Sequence, residues 1–187
     1  MGPTRDLLQP EGPISEDAVK ECFAAQAHVL AESGVDLFLV QTFFNLKEIL
    51  IAIEGIQSVS ELPVFASMTF QENPKGFATL MGDSVEYSMK ALKDANALVV
   101  GANCSIGSDR MVLLAKKIRK AVSTPVLASP NAGSPEIREG KTIYNEDART
   151  FSENMHRIKS LGVEVMGGCC GTTPEYIRQI VQKNVKK

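Results

Sequence analysis

Three cysteines in this chain are of a type and spacing that suits metal chemistry. Cys104 ends the run Gly101-Ala102-Asn103-Cys104, and Cys169 and Cys170 are adjacent inside Gly167-Gly168-Cys169-Cys170-Gly171-Thr172-Thr173-Pro174. Each group follows a short apolar run of β type that ends in glycine-rich punctuation. Adjacent residues on a flat strand point to opposite faces. Cys169 and Cys170 therefore reach one ion only if the backbone bends between them, and glycines on both sides permit the bend. Three thiolates fill three corners of a zinc tetrahedron and leave the fourth open, as a catalytic site requires. A closed structural site needs a fourth Cys or His nearby, whereas His28 and His156 fall in helix bodies. A vicinal Cys169–Cys170 disulfide is the competing arrangement and would be strained. Cys-x-x-Cys is absent, which disfavours a thiol redox site.

The elements that must carry these thiols alternate between β and α patterns without a linker. Strands are expected at Val35 to Thr42, Pro63 to Phe70, Ala97 to Cys104, Pro125 to Ser129 and Val163 to Gly167. All are short, apolar and nearly unbroken, as parallel strands buried on both faces should be. Helices are expected from about Glu16 to Ser33, capped by Ser15 and stopped by Gly34, and from about Leu46 to Ser60. Further helices follow Ser84, Ser108 and Asn145, and the last opens at Pro174 with Thr173 as N-cap. Regular alternation argues for a parallel sheet with helical cover, the α/β class. The cysteines then fall at strand C-termini, the end where (β/α) barrels carry their active sites. Two longer loops leave that same end, Gln71 to Asp83 and Ala132 to Tyr144. Each is either functional or a tolerated insertion.

Composition fits one well-buried domain over residues 1–187, 44% hydrophobic and 22% charged, with a net charge of −2. No basic block appears beyond Lys186-Lys187, so neither nucleic acid nor an anionic membrane is expected as a partner. No apolar run reaches spanning length and no signal peptide is visible. The four cysteines read as thiols of a cytoplasmic enzyme rather than as two disulfides. Cys22, on an apolar helix face, reads as a small buried hydrophobe.

Together, Gly-x-Asn-Cys and Gly-Gly-Cys-Cys-Gly-Thr-Thr-Pro resemble the motif pair of the homocysteine S-methyltransferase family. That family includes the homocysteine-binding module of cobalamin-dependent methionine synthase and the betaine–homocysteine methyltransferases. The likeness extends to Gly2-Pro3-Thr4, to Leu37 through Thr42 and to Pro130-Asn131-Ala132-Gly133. It implies a (β/α)8 TIM-barrel fold with zinc on Cys104, Cys169 and Cys170, where homocysteine is bound as a thiolate and methylated to methionine. In the family, Gly-Pro-Thr closes the third barrel strand, and here it follows Met1 directly. An incomplete barrel is thus expected, with about five of eight βα units. The chain would be the C-terminal portion of a homocysteine-binding barrel, either shortened or completed by a partner. Its open sheet edges imply self-association.

Four further residues are candidate substrate contacts. Asn131 either caps the metal or orients the bound amino acid; the alternative is plain turn chemistry. Gln41 stands where the family commonly has a glutamate that pairs with the substrate ammonium, which puts homocysteine as the acceptor in question. Thr42 and Ser67 lie at strand ends, where interior packing competes with ligand contact. The methyl donor is weakly specified. Trp is absent and Phe43-Phe44 is the only aromatic pair, so no aromatic cage for a quaternary ammonium is visible. A corrinoid or folate donor held by another domain or protein is the expectation. Two rivals remain: a barrel that binds phosphate at Gly167-Gly168 and the following helix, and an inactive fragment or scaffold.

Overall fold

The computed structural model describes residues 1–4 and 6–184. Helix α1 spans Glu16–Glu32, and the Ser15 hydroxyl caps it by accepting the Ala18 N–H at 3.2 Å. Gly34 takes φ +85° in the turn that follows, a conformation that favours glycine. Strand β1 is Phe38–Phe43, and α2 is Leu46–Gln57, capped by the Asn45 side chain. Then come β2, Val64–Met68; a hairpin of β3, Gln71–Asn73, with β4, Gly76–Ala78; and α3, Val85–Asp94. Next are β5, Val99–Gly107; α4, Ser108–Ala121; and β6, Val126–Asn131. A second hairpin pairs β7, Pro135–Arg138, with β8, Lys141–Tyr144; α5, Ala148–Ser160, β9, Val165–Met166, and α6, Pro174–Asn184, complete the order.

Strands β1, β2, β5, β6 and β9 lie side by side in that order, and every pairing is parallel. Each is followed by a helix, which gives five βα units of the barrel type. Ile49, Ile53 and Ile56 of α2, Met111, Leu114 and Ile118 of α4, and Phe151, Met155 and Ile158 of α5 are all buried in the core. Residues of these types contribute about 1.5–3 kcal/mol each on full burial. Strands β5 and β6 pack at backbone distance: a Cβ on Gly101 would stand 2.0 Å from the Leu127 carbonyl oxygen.

Several expectations need correction. The stretches taken as loops, Gln71 to Asp83 and Ala132 to Tyr144, each hold a β-hairpin. The second turns through Glu139 and Gly140, with φ of +51° and +74°, the handedness that two-residue hairpin turns require. Strand β5 runs on past Cys104 to Gly107, with an irregular register between Asn103 and Gly107. The final strand is only Val165–Met166, because its single neighbour is β6 and the Glu164 carboxylate takes the Val126 N–H at 2.8 Å. Cys22 is exposed, since α1 buries Val19, Phe23 and Ala27, and Cys22 is turned away from that face.

The outer edge of β1 is met by Met1. Its ammonium donates to the Leu39 carbonyl at 2.8 Å, and the Gln41 N–H donates to the Met1 carbonyl at 3.0 Å. Burial lowers the pKa of that amine. The Thr4 N–H and hydroxyl both donate to Oε1 of buried Glu48 at 2.6 Å, which fixes Gly2-Pro3-Thr4 against α2. No helix among the described residues is long and apolar enough to cross a membrane.

Candidate metal centre

The C-terminal ends of β1, β5, β6 and β9 build the site, and its backbone is strained there. Thr42, Cys104 and Ser105 have φ of +71°, +63° and +61°. Non-glycine residues seldom adopt this region, a β-branched one least of all, and each costs about 1–3 kcal/mol unless its surroundings hold it. Asn103, 1% exposed, supplies the hold. Its Oδ1 accepts the Thr42 N–H at 2.9 Å and the Ser67 hydroxyl in a short bond. Its Nδ2 donates to Thr42 Oγ1 at 2.8 Å and to Cys169 Sγ at 3.9 Å. The Thr69 hydroxyl donates to the Asn103 carbonyl at 3.2 Å. One buried amide thus joins the ends of β1, β2 and β5 to the cysteine pair.

The turn bearing Cys169 and Cys170 is clasped by the end of β6. The Cys169 N–H donates to the Pro130 carbonyl at 2.8 Å, and the Ala132 N–H donates to the Cys170 carbonyl at 2.9 Å. Asn131, buried, accepts the Cys170 N–H through Oδ1 at 3.1 Å. The Thr172 hydroxyl closes the turn on the Cys169 carbonyl at 2.7 Å. Parallel strands sit about 4.8 Å apart, so the ends of β5 and β9, with β6 between them, start about twice that apart. The turn and the bend at Cys104 close this gap. Cys104 Sγ lies 3.7 Å from Cys170 Sγ, Cys169 Sγ lies 4.0 Å from Cys170 Sγ, and all three fall within 4.8 Å of one another. Zinc–sulfur bonds of about 2.3 Å at tetrahedral angles give sulfur–sulfur edges of about 3.8 Å. The three thiols therefore fit a zinc ion, and they are free rather than paired in a disulfide.

The sulfurs also divide their protons. A hydrogen bond from Cys104 brings the Cys169 thiol down to about 7, and the Asn103 amide helps. The same bond, followed by burial, pushes Cys104 well above the ordinary thiol range. Of these two, Cys169 is thus the thiol that ionises more readily in the metal-free protein.

Tyr144, on β8, arrives from the second hairpin. A Cβ on Gly171, which takes φ +81°, would stand 2.3 Å from Tyr144 Cγ, so the ring rests directly on that glycine. Burial, then the neighbouring Cys170 side chain, holds the Tyr144 hydroxyl above its usual pKa. The hairpin base is tied by Glu146, whose carboxylate accepts the Ser108 N–H at 3.2 Å, the Ser108 hydroxyl in a short bond, and Asn154 Nδ2 at 3.3 Å. Tyr176 donates its hydroxyl to the Glu146 carbonyl at 2.5 Å.

Of the residues singled out from sequence, Cys104, Cys169, Cys170, Asn131, Thr42 and Ser67 belong to one hydrogen-bonded assembly. Ser67 is fully buried and lies beneath it as a donor to Asn103. Gln41 is half-buried at the end of β1, next to Thr42 in the chain. Sequence reasoning passed over Asn103, Tyr144 and Glu146. A polar amide after the apolar run Val99-Val100-Gly101-Ala102 was the available signal for the first.

Residues 1–184 match the protein family described as homocysteine S-methyltransferase. Among solved structures, the chain is similar to the apo form of the homocysteine methyltransferase MmuM from Escherichia coli. The two share 18% identity with a TM-score of 0.77 over 98% of this chain and 60% of that chain. The metallated form of MmuM gives 19% identity and a TM-score of 0.71 over 88% of this chain and 52% of that chain. The carboxyl transferase domain from Rhizobium etli pyruvate carboxylase is a more distant likeness, at 16% identity and a TM-score of 0.53 over 89% of this chain and 30% of that one. At such identities the structural likeness concerns the fold, and the chain spans about three fifths of the length of MmuM.

Proposed function

We propose that this chain, which belongs to the homocysteine S-methyltransferase family, holds zinc on Cys104, Cys169 and Cys170 and presents homocysteine as a thiolate for methylation to methionine. The observation that carries the reading is the convergence of three sulfurs, 3.7 and 4.0 Å apart, within 4.8 Å of one another. Zinc bound there supplies a Lewis acid that lowers the pKa of an incoming thiol. A free thiol of this type has a pKa of about 8.5 and is mostly protonated at neutral pH, whereas only the thiolate is a good nucleophile.

The protein's own contribution is positioning. Asn103 orients Cys169 and fixes the end of β1, and Asn131 fixes the backbone of Cys170. Ligands locked in this way need little reorganisation when the metal and the substrate arrive. Gln41 and Thr42, at the end of β1, are the proposed contacts for the amino-acid end of the substrate. Asn131 and Ser67 act from beneath, through Cys170 and Asn103. A cage for a quaternary ammonium donor needs several accessible rings, and Phe43 at the β1 end is fully buried. That disfavours a quaternary ammonium donor and leaves a corrinoid or folate carried by another domain or protein, which we prefer, or a sulfonium compound.

Metal analysis of protein purified without chelator should find one zinc per chain, and each single Cys→Ser change should lower it sharply. With cobalt in place of zinc, L-homocysteine should move the visible spectrum towards four-sulfur coordination. Stoichiometric zinc in the triple Cys→Ser variant, or an unchanged cobalt spectrum at saturating ligand, would sink the reading.

A further inference from the structure

The turn that carries two of the three sulfurs has little of its own to hold it. Gly167 and Gly168 precede the cysteine pair and Gly171 follows it, and glycine loses the most conformational freedom on being fixed. The strand leading into the turn is two residues long and pairs only with β6. On one side the end of β6 clasps the turn, through Pro130, Asn131 and Ala132. The other hold comes from the β7–β8 hairpin, whose two legs are fastened together at their base. The Glu146 N–H donates to the Ala132 carbonyl at 3.1 Å, and Gly133 packs so closely that a Cβ there would stand 3.1 Å from Glu146 Cβ. Ala132 in turn donates its N–H to the Cys170 carbonyl at 2.9 Å. Tyr144, two residues before Glu146, lays its ring on Gly171. A Cβ on Gly171 would stand 2.6 Å from Tyr144 Cβ and Cδ2, closer than a real side chain comes. Glycine thus serves twice at 171, by taking φ +81° and by leaving room for the ring. The hairpin grips two successive residues of the turn, Cys170 through the backbone and Gly171 through the ring.

We infer that Tyr144 is a positioning residue for the metal centre: its ring, brought in by the β7–β8 hairpin, clamps the Cys169-Cys170-Gly171 turn in the arrangement that the metal needs. This rests on the zinc–homocysteine reading above. It adds that the exposed hairpin belongs to the site and sets how long the metal is kept. A turn fixed beforehand gives up little chain freedom when an ion binds. A turn without the ring must give up that freedom on binding, and it regains it on release.

The test is release of zinc from the loaded chain into an excess of a chromogenic chelator, followed by absorbance. Tyr144→Ala removes the ring, whereas Tyr144→Phe keeps it on Gly171 and removes only the hydroxyl. Release should be about tenfold faster in Tyr144→Ala and within about twofold of the wild type in Tyr144→Phe, as the packing of one half-buried ring supports. In the metal-free proteins, amide hydrogen exchange at residues 167–172 should quicken in Tyr144→Ala alone. Unchanged release in Tyr144→Ala, or the same acceleration in Tyr144→Phe, would overturn the assignment. Exchange that quickens throughout the chain would overturn it too, because the ring would then support the fold and not the turn. Zinc content of the wild type, measured on the same samples, tests the zinc–homocysteine reading separately. Should that content be nil, exchange decides: quickening confined to residues 167–172 supports the clamp, and its absence overturns it.

Discussion

At the scale of single residues, the site turns on which side chains carry charge and which only donate. Gln41 lies in β1 beside Thr42, where the family commonly has a carboxylate; as the proposed contact for the substrate ammonium, its amide accepts a hydrogen bond but lacks the opposite charge. Pairing the ammonium with an opposite charge adds about 1 kcal/mol where the pair is partly exposed. Gln41→Glu should therefore tighten homocysteine binding about fivefold by calorimetry; equal or weaker binding would mean that the residue does not face the ammonium. The cysteines make a second prediction, in metal-free protein. Cys169 is lowered to about 7 by its bond from Cys104, and Cys104 is raised by the same bond. Thiolate absorbance should rise in a step of one thiol near pH 7, with Cys104 ionising only well above the ordinary thiol range. The step should vanish in Cys169→Ser. The sign for metal uptake follows: above pH 7 Cys169 is already ionised, and below it the ion must also displace that proton, so zinc affinity falls as pH falls. The three cysteines that converge were legible from their motifs. Asn103 was not legible as a hub, because its partners Thr42 and Cys169 lie 61 and 66 residues away in sequence.

At the scale of elements, legibility followed burial. The five sheet strands and six helices announced themselves because apolar runs and apolar stripes are what a parallel sheet and its cover demand. The hairpins stayed hidden for the opposite reason. Pro135–Arg138 is exposed throughout and Lys141–Tyr144 nearly so, so no buried face imposes an alternating pattern. The turn Glu139-Gly140 also lacks the Asn-Gly or Asp-Gly signal. Positive φ at Cys104 and Ser105 likewise leaves no mark in residue type. What orders the second hairpin is its base, where Glu146 serves as a long-range cap for α4. Gly107, the residue at that helix start, makes no side-chain cap of its own. Helix N-termini leave unsatisfied N–H groups and favour negative charge. Glu146→Ala should cost about 1–3 kcal/mol in chemical denaturation and open residues 133–146 to limited proteolysis. If the midpoint falls while that segment stays resistant, the carboxylate serves α4 alone and the hairpin is held by Tyr144 on Gly171.

At the scale of the whole molecule, a parallel sheet of five strands does not close on itself, because tilt and stagger in a barrel are tied to strand number. Its two outer strands are unlike. Strand β9 is a two-residue ladder next to the three cysteines, too short to template much pairing. Strand β1 is six residues long, and the hydrogen bonds on its outer side are those with Met1, at Leu39 and Gln41. Edges of that length pair with other chains unless they are blunted. These 187 residues should therefore self-associate in a concentration-dependent way by sedimentation velocity. Leu39→Lys, which puts a charge on the β1 edge, should shift the population towards monomer. The three sulfurs belong to the β5–β6–β9 side of the sheet, so zinc content should be the same in monomer and assembly. A monodisperse wild-type monomer would mean that Met1 and the pinned Gly2-Pro3-Thr4 segment are enough to shield β1. Association that persists unchanged in Leu39→Lys would move the contact elsewhere, and the first surface to examine would then be the β9 edge beside Cys169 and Cys170.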